Sequence, residues 1–308
     1  MKQIDIADLD CIYLTYDEPQ KEEFWVRIQN MIPWARRVDG VQGSDAAHKA
    51  AAEASATERF ILIDGDNIPD ADFFNLTLAF ADDSWEQAVF RWRARNHVNG
   101  LRYGNGGLSS WTREFVRQMR THENSDGSAQ TQVEFCYEPN YWAMHDCYST
   151  TYPNATPQQA WRAGFREGVK MCLNMGAKPT ISEFRELVHK RNLDNLTVWH
   201  NIGADAANGY WCMAGARQGT YMTMLTDWDH TQVQSFDALA EIWHTVERSE
   251  PRILAGRLAE DLGAQLALPM LVMEGENSAF FKQHLYKDWQ NLGVMTREID
   301  VIRRQEGW

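Results

Sequence analysis

Short apolar runs alternate with helical stretches over the first 64 residues, and this alternation restricts the fold more than any other feature of the chain. "CIYLTY", residues 11 to 16, reads as a buried strand. The following "DEPQKEEFWVRIQNM" places Phe24, Trp25, Ile28 and Met31 at helical spacing. A brief strand at "ARRVDG" leads into the alanine-rich "SDAAHKAAAEASA", where Gly43 permits a turn and Ser44 or Asp45 can cap a helix. "RFILID" then closes the series as a third strand. Strand, helix, strand, helix, strand predicts parallel pairing with helices on both faces, and right-handed crossovers bring the strands' carboxyl ends to one edge. The expected class is α/β with a mixed, mostly parallel sheet.

Further on, "AVFRWRARNHV" has period two, with Phe90, Trp92 and Ala94 on one face and Arg91, Arg93 and Arg95 on the other. "YGNGGLSSW" reads as a loop, "TREFVRQMR" as a helix and "VEFCY" as one more strand. Past about residue 155 the pattern turns helical. Trp161, Phe165, Val169 and Cys172 form one stripe, and helices are expected at 180–191, 235–248, 251–267 and 276–291. Two parts follow: an α/β core over residues 1–155 and a mainly helical part over 156–308.

A formal charge of −13 excludes indiscriminate binding to polyanions through the whole surface, so such a partner must meet a local basic patch. Between Gln87 and Arg113 there is no acidic residue, while Arg91, Arg93, Arg95, Arg102 and Arg113 interleave with Trp92, Tyr103 and Trp111. Arg162, Arg166 and Lys170 add a basic helix stripe. The alternative is that these cations pair with the chain's own carboxylates. Five widely spaced cysteines without a C-x-x-C pair argue against a disulfide framework or a zinc site. The acidic start lacks the sections of a signal peptide, and "LALPMLVM" is too short to cross a bilayer, so a soluble, cytoplasmic protein with no membrane partner is expected.

The chemistry centres on "FILIDGDNIPDADF", residues 60 to 73. Asp64 and Asp66 fall where a buried parallel strand emerges, the edge at which open α/β folds bind ligands. Two adjacent carboxylates repel unless a cation joins them, and such hard oxygen ligands suit Mg²⁺ or Mn²⁺. A polar turn made of the same residue types is the alternative.

"AAHKAAAEASATERFILIDGDNIPDADF" resembles the segment containing the Asp-x-Asp motif of GT-A-fold glycosyltransferases, and "YGNGGLSSWTREF" looks like that family's glycine-rich acceptor-side loop. "TYDEP", "AHKAAAEAS", "YGNGG", "YSTTYPNATPQQAWRAGFREGVKM" and "GARQGTYMTMLTDWD" are similar to tailed-bacteriophage glycosyltransferases that place arabinose or another sugar on hydroxymethylated cytosine in DNA. A haloacid-dehalogenase phosphatase also carries Asp-x-Asp after an apolar strand. There the motif lies on the first strand, and Ile68 stands here where Thr or Val is usual.

The resemblance implies a UDP-sugar donor, with Asp64 and Asp66 holding Mg²⁺ or Mn²⁺ against its diphosphate. It places Thr15, Tyr16 and Asp17 in the loop that contacts the nucleotide, makes Asp39 an acceptor for the base imide, and sets Lys49 to meet a phosphate. His200, Asp229 and His230 are the candidates for a further metal ligand. Glu134 is the closest match to the general base of inverting members, with Glu138 and Asp146 as alternatives, although the expected adjacent Glu-Asp pair is absent. The acceptor is expected to be DNA containing hydroxymethylated cytosine. A glycan, lipid or protein acceptor, or a non-catalytic UDP-sugar-binding module, stands as the alternative.

Overall fold

The computed structural model describes residues 2–80, 82–104, 107–124, 127–128, 132–133, 135–136, 138, 140–271 and 274–284. Its contacts divide the chain into two units. Unit one comprises residues 1–96, 102–126 and 134–152, and unit two comprises 97–101, 127–133 and 153–308.

Unit one is built from the expected alternation. Strand β2 (Asp10–Thr15), helix α1 (Lys21–Met31), strand β3 (Arg36–Asp39), helix α2 (Ser44–Ala54) and strand β4 (Arg59–Asp64) follow in order. β2 pairs in parallel with both β3 and β4. Side chains alternate across these strands, so Cys11, Tyr13, Ile61 and Ile63 bury with Phe24 and Ile28 of α1. Ile12, Phe60 and Leu62 bury on the opposite face with Ala51 and Ala52 of α2. Each of the fully buried Ile61, Leu62 and Ile63 contributes about 1.5–3 kcal/mol of apolar transfer, which explains why β4 is apolar without a break from Phe60 to Ile63.

The remaining strands are β1 (Lys2–Asp5), β5 (Asn67–Pro69), β6 (Thr77–Phe80), β7 (Val89–Asn96), β8 (Arg102–Tyr103), β9 (Leu108–Thr112) and β10 (Tyr141–Thr151). β1 and β6 form a separate antiparallel pair, and the main sheet has the order β3-β2-β4-β9-β7-β10-β5 with β8 beside β7. The expectation of a mostly parallel sheet is corrected. Among the described residues, parallel pairing is confined to β2 with β3, β2 with β4, and β7 with β10. β9 enters antiparallel between β4 and β7, because a turn rather than a crossover helix brings the chain back. "LSSWT" is therefore a strand, and the short helix α3 (Arg113–Gln118) follows it with Thr112 as cap. "VEFCY" is not the expected strand among the described residues: Cys136 makes an isolated bridge to Thr121, and Val133 belongs to unit two.

A buried cation ties β4 to β9 and to the segment that leads into β7. Arg59 donates to the Ser110 hydroxyl at 2.9 Å and to the carbonyls of Glu86 and Ala88, each at 2.8 Å. Burial pulls its guanidinium down to about 10.

Unit two is helical: α4 (Pro157–Lys170), α5 (Phe184–Leu187), α6 (Lys190–Asn201), α7 (Gly209–Leu225), α8 (Phe236–Val246), α9 (Pro251–Leu266) and α10 (Gly275–His284). Of the helix expected at 180–191, only the short α5 and the first residues of α6 are helical, while α8 and α9 match closely. α4 and α7 meet through reciprocal glycines. A Cβ on Gly164 would stand 2.0 Å from the Cys212 carbonyl oxygen, and one on Gly168 2.1 Å from that of Ala216. In return, Gly215 and Gly219 face the carbonyls of Trp161 and Phe165 at 2.1 and 2.2 Å. No helix among the described residues is long and apolar enough to cross a membrane.

Candidate active site at the tip of strand β4

Because β2, β3 and β4 run parallel, their carboxyl ends share one edge. Leu14 is in register with Asp64 and Thr15 with Asp39. At this edge the chain turns through Asp64, Gly65 and Asp66 into β5, and four contacts fix the turn. The Tyr13 hydroxyl donates to the Gly65 carbonyl at 2.8 Å. The Asp64 amide donates to the Gly107 carbonyl at 2.7 Å, and the Tyr152 amide to the Asp66 carbonyl at 2.8 Å. Thr151 Oγ1 donates to Asp66 Oδ2 at 3.1 Å. Both neighbouring glycines permit close approach: a Cβ on Gly65 would lie 2.4 Å from the Glu18 carboxylate, which would have to move, and one on Gly107 2.0 Å from Asp64 Cβ.

Glu18 is the acidic residue that sequence reasoning missed. It follows β2, and its Oε2 accepts from the Tyr16 amide at 2.7 Å. Burial raises its carboxyl above the usual range, partly opposed by the amides of Tyr16 and Glu18 itself, with the charges of Asp66 and Asp17 adding to the rise. Asp64 is pushed up to about 7, first by burial and then by the charges of Asp66 and Glu18. Three carboxyl groups therefore sense one another around Gly65, an arrangement that a cation relieves. Among the described residues no three acidic, histidine or cysteine side chains converge closely enough to hold a metal ion between them. The donor set is two hard-oxygen aspartates. It fits an ion such as Mg²⁺ that binds through one or two carboxylates and completes its shell with water and phosphate oxygens.

Beside this turn lies an ordered polar network. Asp39 Oδ1 accepts from Thr15 Oγ1 and from Lys21 Nζ, each at 2.7 Å, with an Arg37 nitrogen at 3.4 Å. Burial alone would raise the Asp39 carboxyl, but the bonds from Lys21 and Thr15 and the Arg37 charge outweigh it and hold it below the usual range. Lys21 also donates to the Tyr16 carbonyl at 2.6 Å, and Arg37 forks onto Glu22 with two bonds of 2.8 Å. The Tyr16 side chain is exposed, as is Asp17. The fold thus gathers Thr15, Tyr16, Asp17, Asp39, Asp64 and Asp66 along one edge. Lys49 is engaged elsewhere, on α2, where it pairs with Asp45 at 2.6 Å.

Glu134 lies outside the described residues. Glu138 accepts from Arg120 Nε at 3.0 Å, and Asp146 is exposed on β10. Arg91 and Tyr141 form a second feature that sequence reasoning did not assemble. The Arg91 guanidinium sits 3.4 Å from the centre of the Tyr141 ring, and its buried Nε has no hydrogen-bond partner among the described residues. Burial pushes the Tyr141 hydroxyl up, with Arg91 opposing and Asp64 adding to the rise. Arg93 lies 3.0 Å from His145 Nδ1. The period-two arginines were the available signal, but the partner strand β10 carries no alternation to announce it. Trp92 and Trp111 are core residues, 2% and 1% exposed, so neither offers a stacking surface, and Tyr103 alone of the interleaved aromatics is partly exposed.

The three candidates for a further metal ligand belong to unit two, where each has a local structural role. His230 Nε2 lies 3.0 Å from the Gly176 carbonyl, and Asp229 Oδ1 accepts from the amide and hydroxyl of Thr231. His200 is fully buried with Nε2 2.9 Å from Thr220 Oγ1. Burial, helped by the Arg217 charge, lowers its imidazole to about 3. A folded-state value below the ordinary 6.5 means that the unfolded chain binds the extra proton. Stability is therefore lost as pH falls from about 6.5 toward 3, by about 1.4 kcal/mol per pH unit. Asp64 and Glu18 act with the opposite sign, so the contribution is read from a variant: urea midpoints of His200→Gln are expected to fall less between pH 7 and 5 than those of the wild type. Parallel profiles would refute it.

The fold and this edge define an α/β chain that presents paired aspartates at a strand tip beside a glycine-rich return loop. Compared with protein-family models the sequence matches none, and no curated protein is significantly similar to it.

Proposed function

We propose that the chain is a metal-dependent glycosyltransferase of GT-A type that moves a sugar from a UDP-sugar to hydroxymethylated cytosine in DNA. The observation carrying this reading is the Asp64-Gly65-Asp66 turn at the end of a parallel strand, crowded by Glu18 and closed by Gly107. The order β3-β2-β4, with an antiparallel strand next to β4, supports it. Asp64 and Asp66 would hold Mg²⁺ or Mn²⁺, which supplies charge neutralisation for the departing diphosphate. Asp39 keeps its internal bonds on Oδ1, leaving Oδ2 to accept from a base imide, and the exposed Tyr16 ring can stack on that base. Arg91 Nε, without a partner among the described residues, is a donor suited to a phosphate oxygen. Glu134 remains the proposed base.

The burial of Trp92 and Trp111 removes two surfaces on which a flipped cytosine would stack, which favours a glycan, lipid or protein acceptor as the second reading. Incubation with labelled UDP-sugars and separate acceptor pools, including DNA containing hydroxymethylated cytosine, distinguishes them. Sugar on digested nucleosides establishes the DNA acceptor. Transfer only to another pool establishes the second reading. UDP release without an acceptor rules out a non-catalytic module, and UDP binding without any turnover overturns the enzyme. Gly107→Ala is expected to reduce turnover by about 10²-fold, since its Cβ must displace Asp64, and a lowered Mn²⁺ affinity should accompany the loss.

A further inference from the structure

The helical unit contains a cavity of about 240 Å³ that has no part in the reading above. Met213 and Leu271 supply apolar wall, Arg217 lies at its buried end, and Tyr210, Arg252 and Gly256 border it.

The charges of these groups do not balance. Arg252 is neutralised by Glu274 at 2.6 Å and stands 4.9 Å from the Tyr210 ring centre, while the Tyr210 hydroxyl donates to the other Glu274 oxygen at 3.3 Å. These three side chains form a clasp of no net charge. Arg217, 3% exposed, has no carboxylate partner among the described residues. Nε donates to the His200 carbonyl at 3.0 Å, Nη1 to the Ala255 carbonyl at 2.8 Å, and Nη2 to Asn201 Oδ1 and the Leu271 carbonyl at 3.2 and 3.1 Å. A guanidinium has five N–H groups, so one on Nη1 has no acceptor among the described residues. The negative end of α6 offsets part of the charge, yet the burial penalty still pulls the group down to about 10.

From the cavity, its apolar wall and the leftover N–H of a buried cation, we propose that this pocket binds a small organic monoanion, a carboxylate on an apolar body, with the anionic end on Arg217. One uncompensated positive charge sets the ligand's charge. The volume, below the 300 Å³ or so at which drug-sized sites begin, sets its size. A charge-assisted bond to the buried Arg217 favours the anion over a neutral isostere.

Benzoate and benzamide are probes of nearly equal shape and different charge. Calorimetry on the full chain is expected to give saturable benzoate binding at least about tenfold tighter than benzamide binding. Gly256 provides the variant, because a Cβ there meets nothing within 4 Å, so the side chain of Gly256→Phe can leave the helix without a backbone clash and occupy space at the pocket border. It is expected to weaken benzoate binding at least about tenfold. A second readout uses the wild-type pocket: in methyl-labelled protein, the Met213 methyl resonance, assigned by its loss in Met213→Leu, shifts with benzoate and not with benzamide. Equal binding of the two probes, no saturable binding, unchanged affinity in Gly256→Phe, or a static Met213 resonance would each overturn the proposal.

Discussion

Asp66→Asn is expected to lower sugar transfer by about 10²–10³-fold or more while leaving the protein folded and at least as stable as the wild type. The two effects have opposite signs for one reason. An asparagine oxygen can still accept from Thr151 Oγ1, so the local bond survives. Removing the Asp66 charge also relieves Asp64 and Glu18, both of which it raises. The same charge is half of the pair proposed to hold the cation. Turnover and Mn²⁺ affinity, followed by electron paramagnetic resonance, should fall together while the urea midpoint holds or rises. Loss of turnover with loss of folding would point to a structural role instead, and unchanged turnover would remove the aspartates from the mechanism.

A second large effect belongs to the helix pair α4 and α7. Gly164→Ala normally gains about 0.5–1 kcal/mol in a helix interior. Here the new Cβ would stand 2.0 Å from the Cys212 carbonyl oxygen, a backbone atom that cannot swing aside. The helices must separate, and overpacking of this kind costs about 1–3 kcal/mol or more, so the clash outweighs the propensity gain. Gly256→Ala is the control, since it is also helical and its Cβ meets open space. Thermal melts should place the first variant several degrees below the wild type and the second slightly above it, at about 2–4 °C per kcal/mol. A stable Gly164→Ala protein would mean that the seam is looser than described.

The parts of the molecule legible in the sequence are those whose physics is local. β4 was readable because a strand buried on both faces needs an unbroken apolar run, and its tip because charge cannot continue inside. Period two exposed the two faces of β7. What escaped notice depends on partners distant in the chain. β9 reads as loop because Ser109, Ser110 and Thr112 are polar, yet all three are buried by neighbours on β4 and β7. Central helix α7 shows no amphipathic stripe because neighbours cover it nearly all round. Glu18 joins the candidate site only because Gly65, 47 positions later, leaves room for its carboxylate. Arg91 and Tyr141 meet only once β10 runs beside β7.

The reciprocal glycines carry one more consequence. In a library covering every single substitution, selected only for soluble expression, positions 164, 168, 215 and 219 should all come back nearly empty. Each helix would then display a pair of gaps four apart, and the spacing would identify which faces meet. The pairing of α4 with α7 could be recovered from variant counts alone, before any residue of the sheet edge had been assayed.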